Sequence, residues 1–358
     1  MPRALAAIPA DASALTPAWL TARLGAAGTV TTALPEGIGE DQGFTGGRLS
    51  RIALTWKGKG PASVVAKLSP ADPAMRKLMR HANAAEVQFY RTLAPRFALP
   101  VPRAYHAAEI PTGESVILME DLGSHRRVDL HTGCSPCDAG AVVATLAEVH
   151  AAWWNRPEVV ALGGSDLLRQ TGFEACWPRY PARLAQVLPD VELPGWFVAL
   201  ADRMARQRGA MAAHLLDSGP VTLLHRDCHV ENVLFVPGGR AVLLDWQFMG
   251  RGRGAFDLGY FLISSLAPDQ RRATERDLVA RYHAGLVRGG VTGYSLGACW
   301  QDYLWSVAGK FWLTVAATVA YDNAGAWKAE YRRQDLARLI AFCADHGISD
   351  TAFLPGAA

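Results

Sequence analysis

The segment VTLLHRDCHVENVLFV, residues 221–236, places a cluster of polar side chains inside an apolar run. Both ends of the segment have the valine and leucine content of buried strands. Between them lie six polar residues: His225, Arg226, Asp227, His229, Glu231 and Asn232. A buried charge without a partner is costly, so the cluster indicates a functional site.

Two residues of the cluster, Asp227 and Asn232, are five positions apart, a spacing that one short turn can span. Asp227 can accept the proton of an attacking hydroxyl, and the amide oxygen of Asn232 can bind a metal ion. A second carboxylate, Asp245, follows four apolar residues in AVLLDWQ, at the end of the next predicted strand. Oxygen ligands of this kind suit Mg²⁺. We therefore predict catalytic roles for Asp227, Asn232 and Asp245, with Asn232 and Asp245 as metal ligands; the alternative is that Asp227 only caps a turn.

Upstream, Lys67 lies in the apolar segment VVAKL of a chain that has only six lysines. A lysine in a buried strand needs a partner, and Glu86 interrupts the apolar face of a helix predicted over residues 71–93. A strand lysine held by a helix glutamate can bind the phosphates of ATP. The alternative is that Lys67 lies at a strand edge and Glu86 is solvated.

Glycines precede the Lys67 strand, where backbone N–H groups could approach phosphates, although their spacing does not fit G-x-G-x-x-G. They are Gly39, Gly43, Gly46 and Gly47. The segment VILMEDLG, residues 116–123, is predicted to connect the two parts of the chain as a hinge. Its position predicts adenine binding by backbone groups near Met119, Glu120 and Asp121.

Composition excludes several classes of protein. The chain has 358 residues, a net charge of +3 and no block of Lys or Arg, which argues against nucleic acid as a partner. Its N-terminal segment is interrupted by Pro9 and Asp11, and the longest apolar run, residues 311–320, is about half of a membrane span. Six cysteines without secretory features suggest reduced thiols, and Cys134-x-x-Cys137 lacks the second pair that a zinc site usually needs. We expect a cytoplasmic protein that acts on a small molecule and not at a membrane.

The order of patterns predicts an α+β fold with two domains. Residues 1–122 combine strands with one helix after a hairpin at residues 44–69. Residues 123–358 are mainly helical and contain a short hairpin, in the β-rich region formed by the 221–236 segment and GRAVLLDWQ. Thr16 and Pro17 open a helix, and residues 130–138 form a loop in which Gly133 and Pro136 stop regular structure. Arg251 and Arg253 are expected to face solvent.

Six segments together resemble the aminoglycoside phosphotransferase and choline kinase-like superfamily, which shares the protein-kinase fold: TPAWL, LMEDLG, LAEVHAAWW, LLHRDCHVENVLF, LLDWQ and FDLGYFL. The resemblance extends over residues 15–345 and is nearest to the ecdysteroid-kinase-like and CHK-type branch. It implies a bilobal fold and the transfer of phosphate from ATP, with Mg²⁺, to a hydroxyl of a small molecule. It also implies Asp227 as the base, Asn232 and Asp245 as Mg²⁺ ligands, Lys67 on phosphate, and Asp257 as a brace of the catalytic loop.

The segment between Asp245 and Asp257, WQFMGRGRGAF, departs from protein kinases because it is short and contains no Ser, Thr or Tyr. In protein kinases this segment docks the substrate and is ordered by phosphorylation. We therefore predict a constitutively active small-molecule kinase, in which Arg226 is structural. A non-catalytic nucleotide-binding protein is the alternative of another class, and it would be expected to lack Asp227, Asn232, Asp245 or Lys67.

The acceptor walls are predicted in the helical stretches 166–202 and 299–327. The second stretch has only Asp302 and Asp322 as acids, against seven aromatic residues: Trp300, Tyr303, Trp305, Phe311, Trp312, Tyr321 and Trp327. Such walls favour a mostly apolar or amphiphilic alcohol, because a polycationic aminoglycoside needs several acids when its ammonium groups are desolvated. A choline-like cation is the alternative, and some of these aromatics could simply be core.

Overall fold

The N-terminal part of the chain forms an antiparallel sheet of five strands. The structure is a computed structural model, and it describes residues 8–25, 27–38, 47–123, 125–163, 166–321, 323 and 325–349. The strand order is β1-β2-β3-β5-β4, which leaves β1 and β4 at the edges. The strands are β1 (Thr29–Ile38), β2 (Arg48–Lys57), β3 (Ser63–Leu68), β4 (Ala104–Glu109) and β5 (Ser115–Glu120). The predicted hairpin is present as β2 and β3, whereas β1 and β4 were not predicted. Pro35 and Gly37 are unfavourable in most strands, so the sequence did not predict β1. An edge strand such as β1 can contain them.

Two compact units make up the chain. Unit 1 comprises Met1–Ser124 together with Asp245–Gln247, and unit 2 comprises His125–Leu244 and Phe248–Ala358. The predicted α+β class, with strands concentrated in the first part and helices in the second, matches this arrangement.

One face of the sheet in unit 1 packs against the first helix, α1 (Pro17–Leu24). Thr16 caps this helix by accepting a hydrogen bond from the Trp19 N–H, as its position before Pro17 predicts. In β3, Val64, Ala66 and Leu68 point into the resulting core. Because side chains alternate along a strand, Lys67 points to the opposite face.

The helix predicted over residues 71–93 is interrupted. It consists of α2 (Pro73–Leu78), α3 (Arg80–Gln88) and a π-helical turn at Phe89–Leu93. Met79 separates the first two, with φ −85° and ψ 2°, and its side chain is buried. Glu86 lies in the last turns of α3 and is buried.

Unit 2 is helical. Its longest helices are α4 (Pro136–Ala152), α12 (Pro268–Arg288), α13 (Leu296–Ala320) and α14 (Ala326–Asp345), and the fully buried α11 (Ala255–Ser265) packs mainly on α13. Shorter helices are α5 (Pro157–Val160), α6 (Asp166–Gln170), α7 (Phe173–Cys176), α8 (Tyr180–Val187), α9 (Gly195–Arg206) and α10 (Arg208–Ala212). Among the described residues, no helix combines the length and the apolar character required to cross a membrane.

The short hairpin predicted from the 221–236 segment and GRAVLLDWQ is present, because β7 (Val233–Val236) pairs with β8 (Arg240–Leu243). The first apolar run forms β6 (Thr222–Leu224), which pairs with β9 (Gly250–Gly252). The strand β9 was not predicted. A side chain at Gly250 would place its Cβ within 2.1 Å of the Arg226 guanidinium, so glycine is what permits this close approach.

Two expectations from the sequence are wrong. Pro136 does not stop regular structure, because it is the first residue of α4, whose N-cap Ser135 accepts a hydrogen bond from the Asp138 N–H. Arg251 and Arg253 do not simply face solvent. Arg251 pairs with Asp217 at 2.8 Å, and Arg253 lies 3.2 Å from Asp302.

A buried ion pair joins α13 and α14. Lys310 Nζ lies 2.5 Å from Asp335 Oδ1, and the two side chains are 1% and 2% exposed. Burial alone would raise the pKa of Asp335, but the Lys310 charge outweighs it and holds that pKa below the ordinary value. Asp335 therefore contributes stability at neutral pH that is lost as the pH falls through its lowered pKa.

We expect Lys310→Met to reduce the free energy of unfolding by about 3–5 kcal/mol, because it leaves a buried carboxylate without its cation. The pKa of Asp335 in the folded variant is then raised, so the deficit grows as the pH rises above the ordinary pKa of aspartate. Urea unfolding at about pH 4 and about pH 8 measures this trend. The double variant Lys310→Met/Asp335→Asn should recover part of the loss, and an equal deficit at both pH values would contradict the account.

Candidate active site

Asp257 holds the main chain of the catalytic loop, residues 225–232. Its Oδ2 accepts a hydrogen bond from the His225 N–H at 2.6 Å, and its Oδ1 accepts one from the Arg226 N–H at 2.8 Å. Behind it, His150 Nε2 lies 3.3 Å from the same carboxylate, and His150 Nδ1 lies 2.7 Å from the Tyr282 hydroxyl. Asp257 thus occupies the bracing position that the family resemblance implies, and His150 is a core histidine.

The side chain of His225 connects the loop to the end of β8. Its Nε2 donates a hydrogen bond to the Leu244 carbonyl at 2.7 Å, since a carbonyl oxygen can only accept. Its Nδ1 accepts from the Asp227 N–H at 3.3 Å, and the Leu244 N–H donates to the Asn232 carbonyl at 2.9 Å. Leu244, the residue before Asp245 in the chain, is therefore fixed to the catalytic loop by two hydrogen bonds.

Arg226 is structural, as the sequence predicts. Its side chain is fully buried and donates hydrogen bonds to the carbonyl oxygens of Gly163 and Arg251. Its φ of 66° lies in the left-handed region, which bulky residues rarely adopt. This conformation comes immediately before Asp227, and such strain is typical of functional sites.

Asp227 is held by three neighbouring side chains. Its Oδ1 accepts a hydrogen bond from the Tyr260 hydroxyl at 2.9 Å, and His229 Nε2 lies 3.7 Å from the same oxygen. Burial acts to raise the pKa of Asp227, but the interactions with His229, His225 and Tyr260 outweigh it and hold the pKa below its ordinary value. The carboxylate is therefore ionised at neutral pH, as a general base must be.

The Asn232 amide has a defined orientation. Its Nδ2 donates to the main-chain carbonyl of Asp227 at 2.9 Å and lies 3.2 Å from His229 Nε2. Because the nitrogen is used within the loop, the amide oxygen lies on the other side and can serve as a metal ligand.

In unit 1, the predicted ion pair between Lys67 and Glu86 is present. Lys67 Nζ lies 2.7 Å from Glu86 Oε2 and also 2.8 Å from Asp245 Oδ1. The exposed fractions of the three side chains are 14%, 2% and 29%, respectively. The sequence did not predict the contact between Lys67 and Asp245, which are 178 positions apart.

When both carboxylates are ionised, the three groups carry two negative charges and one positive charge, a net charge of −1. Burial and the Asp245 charge raise the pKa of Glu86, and Lys67 only partly opposes them. The pKa of Lys67 is raised, because the attraction of both carboxylates outweighs burial. A site with an excess of buried negative charge favours an additional cation.

The segment that carries Asp245 is fixed within unit 1 by its neighbour. The Trp246 ring stacks on Phe89, with ring centroids 4.2 Å apart and planes at 8°. Asp245 itself has φ 62°, in the left-handed region. Together, the stacked ring and the constrained backbone direct its carboxylate to Lys67.

A small pocket in unit 1 lies against Lys67 and Glu86. It is lined by Gly47, Lys67, Leu68, Pro70, Met79, Asn83, Glu86, Ser115, Ile117 and Gln247. Of the predicted phosphate-binding glycines, Gly47 lines this pocket, whereas Gly39, Gly43 and Gly46 lie outside the described residues. The Asn83 Nδ2 is buried and has no hydrogen-bond partner among the described residues, so it can donate to a molecule that enters the pocket.

The residues predicted to bind adenine lie at the end of β5. Met119 is within the sheet, and the Glu120 N–H donates to the Arg103 carbonyl at 2.8 Å. The Asp121 carboxylate accepts hydrogen bonds from Arg51 at 2.8 Å and from Ser63 at 2.6 Å. Its side chain is therefore an anchor of the sheet, and adenine binding by its backbone stays a prediction.

Sequence reasoning missed Tyr260, Asn83 and Gln247. Tyr260 lies three positions after Asp257 and Asn83 three positions before Glu86, each on one helix, so both pairs share a helix face. This spacing of three residues from a predicted functional residue was the sequence signal that could have identified Tyr260 and Asn83. Gln247 had no comparable signal beyond its position two residues after Asp245.

The two predicted metal ligands carry oxygen donors, the carboxylate of Asp245 and the amide oxygen of Asn232, which are of the kind that Mg²⁺ prefers. Their role as metal ligands stays a prediction. Among the described residues, no group of three or more His, Cys, Asp or Glu side chains could hold a metal ion. Cys134 is buried and Cys137 is exposed, and both are free cysteines.

The predicted acceptor stretch 299–327 is partly core. Tyr303, Phe311 and Trp312 are at most 1% exposed, whereas the other four aromatic residues are half-buried. Asp302 is buried and is bound by Arg253 and by the Tyr294 hydroxyl, and Asp322 lies outside the described residues. The apolar wall is therefore smaller than the sequence suggests.

Several solved structures are similar to the chain. The ethanolamine kinase of Plasmodium vivax has a TM-score of 0.50 at 10% identity, with 87% of this chain and 81% of that chain covered. The choline kinase LicA of Streptococcus pneumoniae, in its complex with AMP, has a TM-score of 0.50 at 12% identity, with 90% and 96% covered. A macrolide 2′-phosphotransferase, MphH of Brachybacterium faecium, has a TM-score of 0.43 at 18% identity, with 92% and 98% covered. At these identities the similarity concerns the fold, and the two neighbours with a TM-score of 0.50 confirm the predicted protein-kinase-like class.

No curated protein sequence matches the chain. The model of the phosphotransferase enzyme family matches residues 41–294, which is more than half of the chain. This match confirms the family that the motifs resemble and the enzyme class, a phosphotransferase with an alcohol group as acceptor. The narrower ecdysteroid-kinase-like and CHK-type assignment stays a prediction. The chain belongs to the phosphotransferase enzyme family.

Proposed function

We propose that the protein is an ATP-dependent kinase that phosphorylates a hydroxyl group of a mostly apolar or amphiphilic small molecule. Unit 1 supplies Lys67, Glu86 and Asp245 for the nucleotide and its metal ion. Unit 2 supplies Asp227 as the general base and Asn232 as the second metal ligand. The observation that carries the proposal is the position of Lys67, whose Nζ lies 2.7 Å from Glu86 and 2.8 Å from Asp245.

A lysine with a purely structural role would be neutralised by one carboxylate. The second carboxylate leaves a net negative charge at a site where Glu86 is 2% exposed. A divalent cation at Asp245 would compensate this charge and leave Lys67 available for phosphate oxygens. The excess charge thus supports a site for a metal-bound nucleotide, and it argues against the alternative of a non-catalytic protein.

In the proposed reaction, the acceptor hydroxyl gives its proton to the Asp227 carboxylate as its oxygen bonds to the γ-phosphorus of ATP. The bond between this phosphorus and the β,γ-bridging oxygen breaks, and ADP leaves with the electron pair. Asp245 and the Asn232 amide oxygen would hold Mg²⁺, which when bound neutralises the developing charge on the phosphate oxygens. Asp257 keeps the loop that carries Asp227 in place through its two main-chain hydrogen bonds.

The charges of unit 2 support an acceptor with few cationic groups. Within the described part of the 299–327 stretch, the one acid is Asp302, and Arg253 neutralises it at 3.2 Å. In the stretch 166–202, Glu174 and Asp190 are each paired with an arginine, at 2.7 Å and 2.8 Å. A polycationic aminoglycoside would find these three acids already paired, and Glu192 and Asp202 of the same stretch are exposed to solvent. Its ammonium groups would therefore be costly to desolvate.

A choline-like alcohol is the second candidate. Trp327 and Tyr331 stack with centroids 6.1 Å apart, and the charges of Asp335 and Asp227 add to burial in raising the pKa of Tyr331. The charge of the proposed base thus acts on Tyr331. Aromatic faces can bind a quaternary ammonium group by cation–π contact.

The acceptor class can be tested by measuring ADP formation from ATP across aminoglycosides, choline analogues, sugars and apolar alcohols. We expect the highest kcat/KM on an apolar or amphiphilic alcohol, with turnover that requires Mg²⁺. Turnover of an aminoglycoside with none on any apolar alcohol would overturn the substrate class. Nucleotide binding without ADP formation on any acceptor would instead favour the non-catalytic alternative.

A further inference from the structure

The hydroxyl of Tyr260 is the closest donor to the carboxylate of Asp227, at 2.9 Å from Oδ1. We infer that Tyr260 is a positioning residue that fixes this oxygen and so turns Oδ2 of Asp227 toward the acceptor hydroxyl. The inference rests on the proposed function, because it assigns Asp227 as the base. Neither the family match nor the sequence motifs assign a role to Tyr260.

The two oxygens of Asp227 differ in their contacts. Oδ1 accepts the strong hydrogen bond from Tyr260, whereas Oδ2 has a contact of 3.5 Å with Asn232 Nδ2, at the outer limit for a hydrogen bond. Rotation of an aspartate carboxylate about its last bond is only weakly restricted by torsional preference. A donor fixed on one oxygen therefore selects one orientation and leaves the other oxygen to accept a proton.

Tyr260 can fix the carboxylate because it is itself immobile. It belongs to α11, a helix whose residues are all buried, and its own side chain is only 5% exposed. Lys310 Nζ lies 4.5 Å from the centroid of its ring and is anchored by Asp335. The phenol is also a permanent donor, because burial and the Asp227 charge raise its pKa well above the ordinary value.

The helix α11 thus holds the catalytic loop at two points. Asp257 binds the main-chain N–H groups of His225 and Arg226, and Tyr260 binds the side chain of Asp227. The two residues are three positions apart and share one face of the helix. One rigid element therefore sets both the position of the loop and the direction of its base.

The competing explanation is that Tyr260 is a buried tyrosine whose hydroxyl merely finds a hydrogen-bond partner. A double-mutant cycle separates the two, because a residue that acts through Asp227 has no effect once the base is absent. The variants are Tyr260→Phe, Asp227→Asn and the pair of them. The matched control is Tyr303→Phe, because Tyr303 is fully buried in the core and so is not part of an acceptor wall. This substitution also removes one buried hydrogen bond between a hydroxyl and a carboxylate, that to Glu275 at 2.7 Å.

The rate of ADP formation is measured at saturating ATP, with either water or the best alcohol of the acceptor screen as phosphoryl acceptor. KM for ATP and the unfolding temperature are measured for the same variants. We expect Tyr260→Phe to lower kcat on the order of 10-fold, with KM for ATP changed less than about twofold. In the Asp227→Asn background the same substitution should cause no further loss. Tyr303→Phe should leave kcat unchanged.

The outcomes distinguish the inference from the proposed function. If the wild type forms ADP and Tyr260→Phe has the same kcat, the role of Tyr260 is overturned and the proposed function is not. An equal loss in the wild-type and Asp227→Asn backgrounds, or a matching loss in Tyr303→Phe, assigns Tyr260 a purely structural role. Absence of ADP formation by the wild type overturns the proposed function, and the inference with it.

Discussion

Asp227→Asn is expected to lower kcat for phosphoryl transfer roughly 10²- to 10⁴-fold, the usual contribution of a positioned general base. The amide keeps the shape of the carboxylate and can still accept the Tyr260 hydrogen bond, which is 2.9 Å long in the native protein. It cannot take a proton from the acceptor hydroxyl. Binding of ATP, measured by thermal shift or calorimetry, should therefore stay close to that of the wild type.

A matched control for this substitution is Asp217→Asn, which removes a carboxylate paired with Arg251 in the same unit. It should leave kcat unchanged. The pH profile gives a second check, because the pKa of Asp227 is held below its ordinary value. Activity should fall on the acid side only below the range where an ordinary aspartate titrates, and this limb should be missing in the variant. A kcat near the wild-type value in Asp227→Asn would exclude Asp227 as the base.

Asp245→Ala is expected to lower Mg²⁺-dependent transfer by at least about 10³-fold while the protein stays folded. The carboxylate is predicted to be a metal ligand, and it is the second of the two acids on Lys67, at 2.8 Å. Its removal leaves Lys67 and Glu86 as a neutral pair at 2.7 Å, so the buried charge of Lys67 keeps a partner and the protein should stay folded. Steady-state kinetics with varied Mg²⁺, alongside thermal unfolding, measures both effects.

The control for Asp245→Ala is Glu114→Gln, which removes another ion-paired acid of unit 1, the partner of Arg76. It should retain wild-type kinetics. The pKa of Glu86 should also fall in Asp245→Ala, because the Asp245 charge contributes to its elevation. A folded Asp245→Ala protein with full activity would contradict the metal assignment.

The residues that the sequence predicted for the chemistry are those that stand out against their surroundings. Lys67 and Glu86 interrupt apolar patterns, and a charge in such a place needs a partner, which each provides for the other. The contact between Lys67 and Asp245 could not be predicted, because no local pattern links residues so far apart in the chain. Asp257 was predicted only through the family resemblance.

The features that could not be predicted from the sequence involve residues whose type is common at an ordinary core, surface or loop position. Tyr260 resembles any buried aromatic residue of α11, and only the fold places its hydroxyl against Asp227. Arg253 resembles a surface arginine, but its partner Asp302 comes from α13. Pro136 resembles a helix breaker, and its role as the first residue of α4 depends on Ser135 as the cap. Tertiary partners decided the cases of Tyr260 and Arg253, whereas a local helix cap decided that of Pro136.

Mass spectrometry of the acceptor, after incubation with ATP, Mg²⁺ and either wild-type protein or Asp227→Asn, tests the proposed reaction most directly. We expect the wild type to convert a hydroxylated, mostly apolar or amphiphilic molecule into its phosphate monoester, with one ADP formed per phosphoryl group transferred. The variant should form the same product at a rate lower by roughly 10²- to 10⁴-fold. ADP formation without a phosphorylated alcohol, or equal product formation by both proteins, would contradict the central claim.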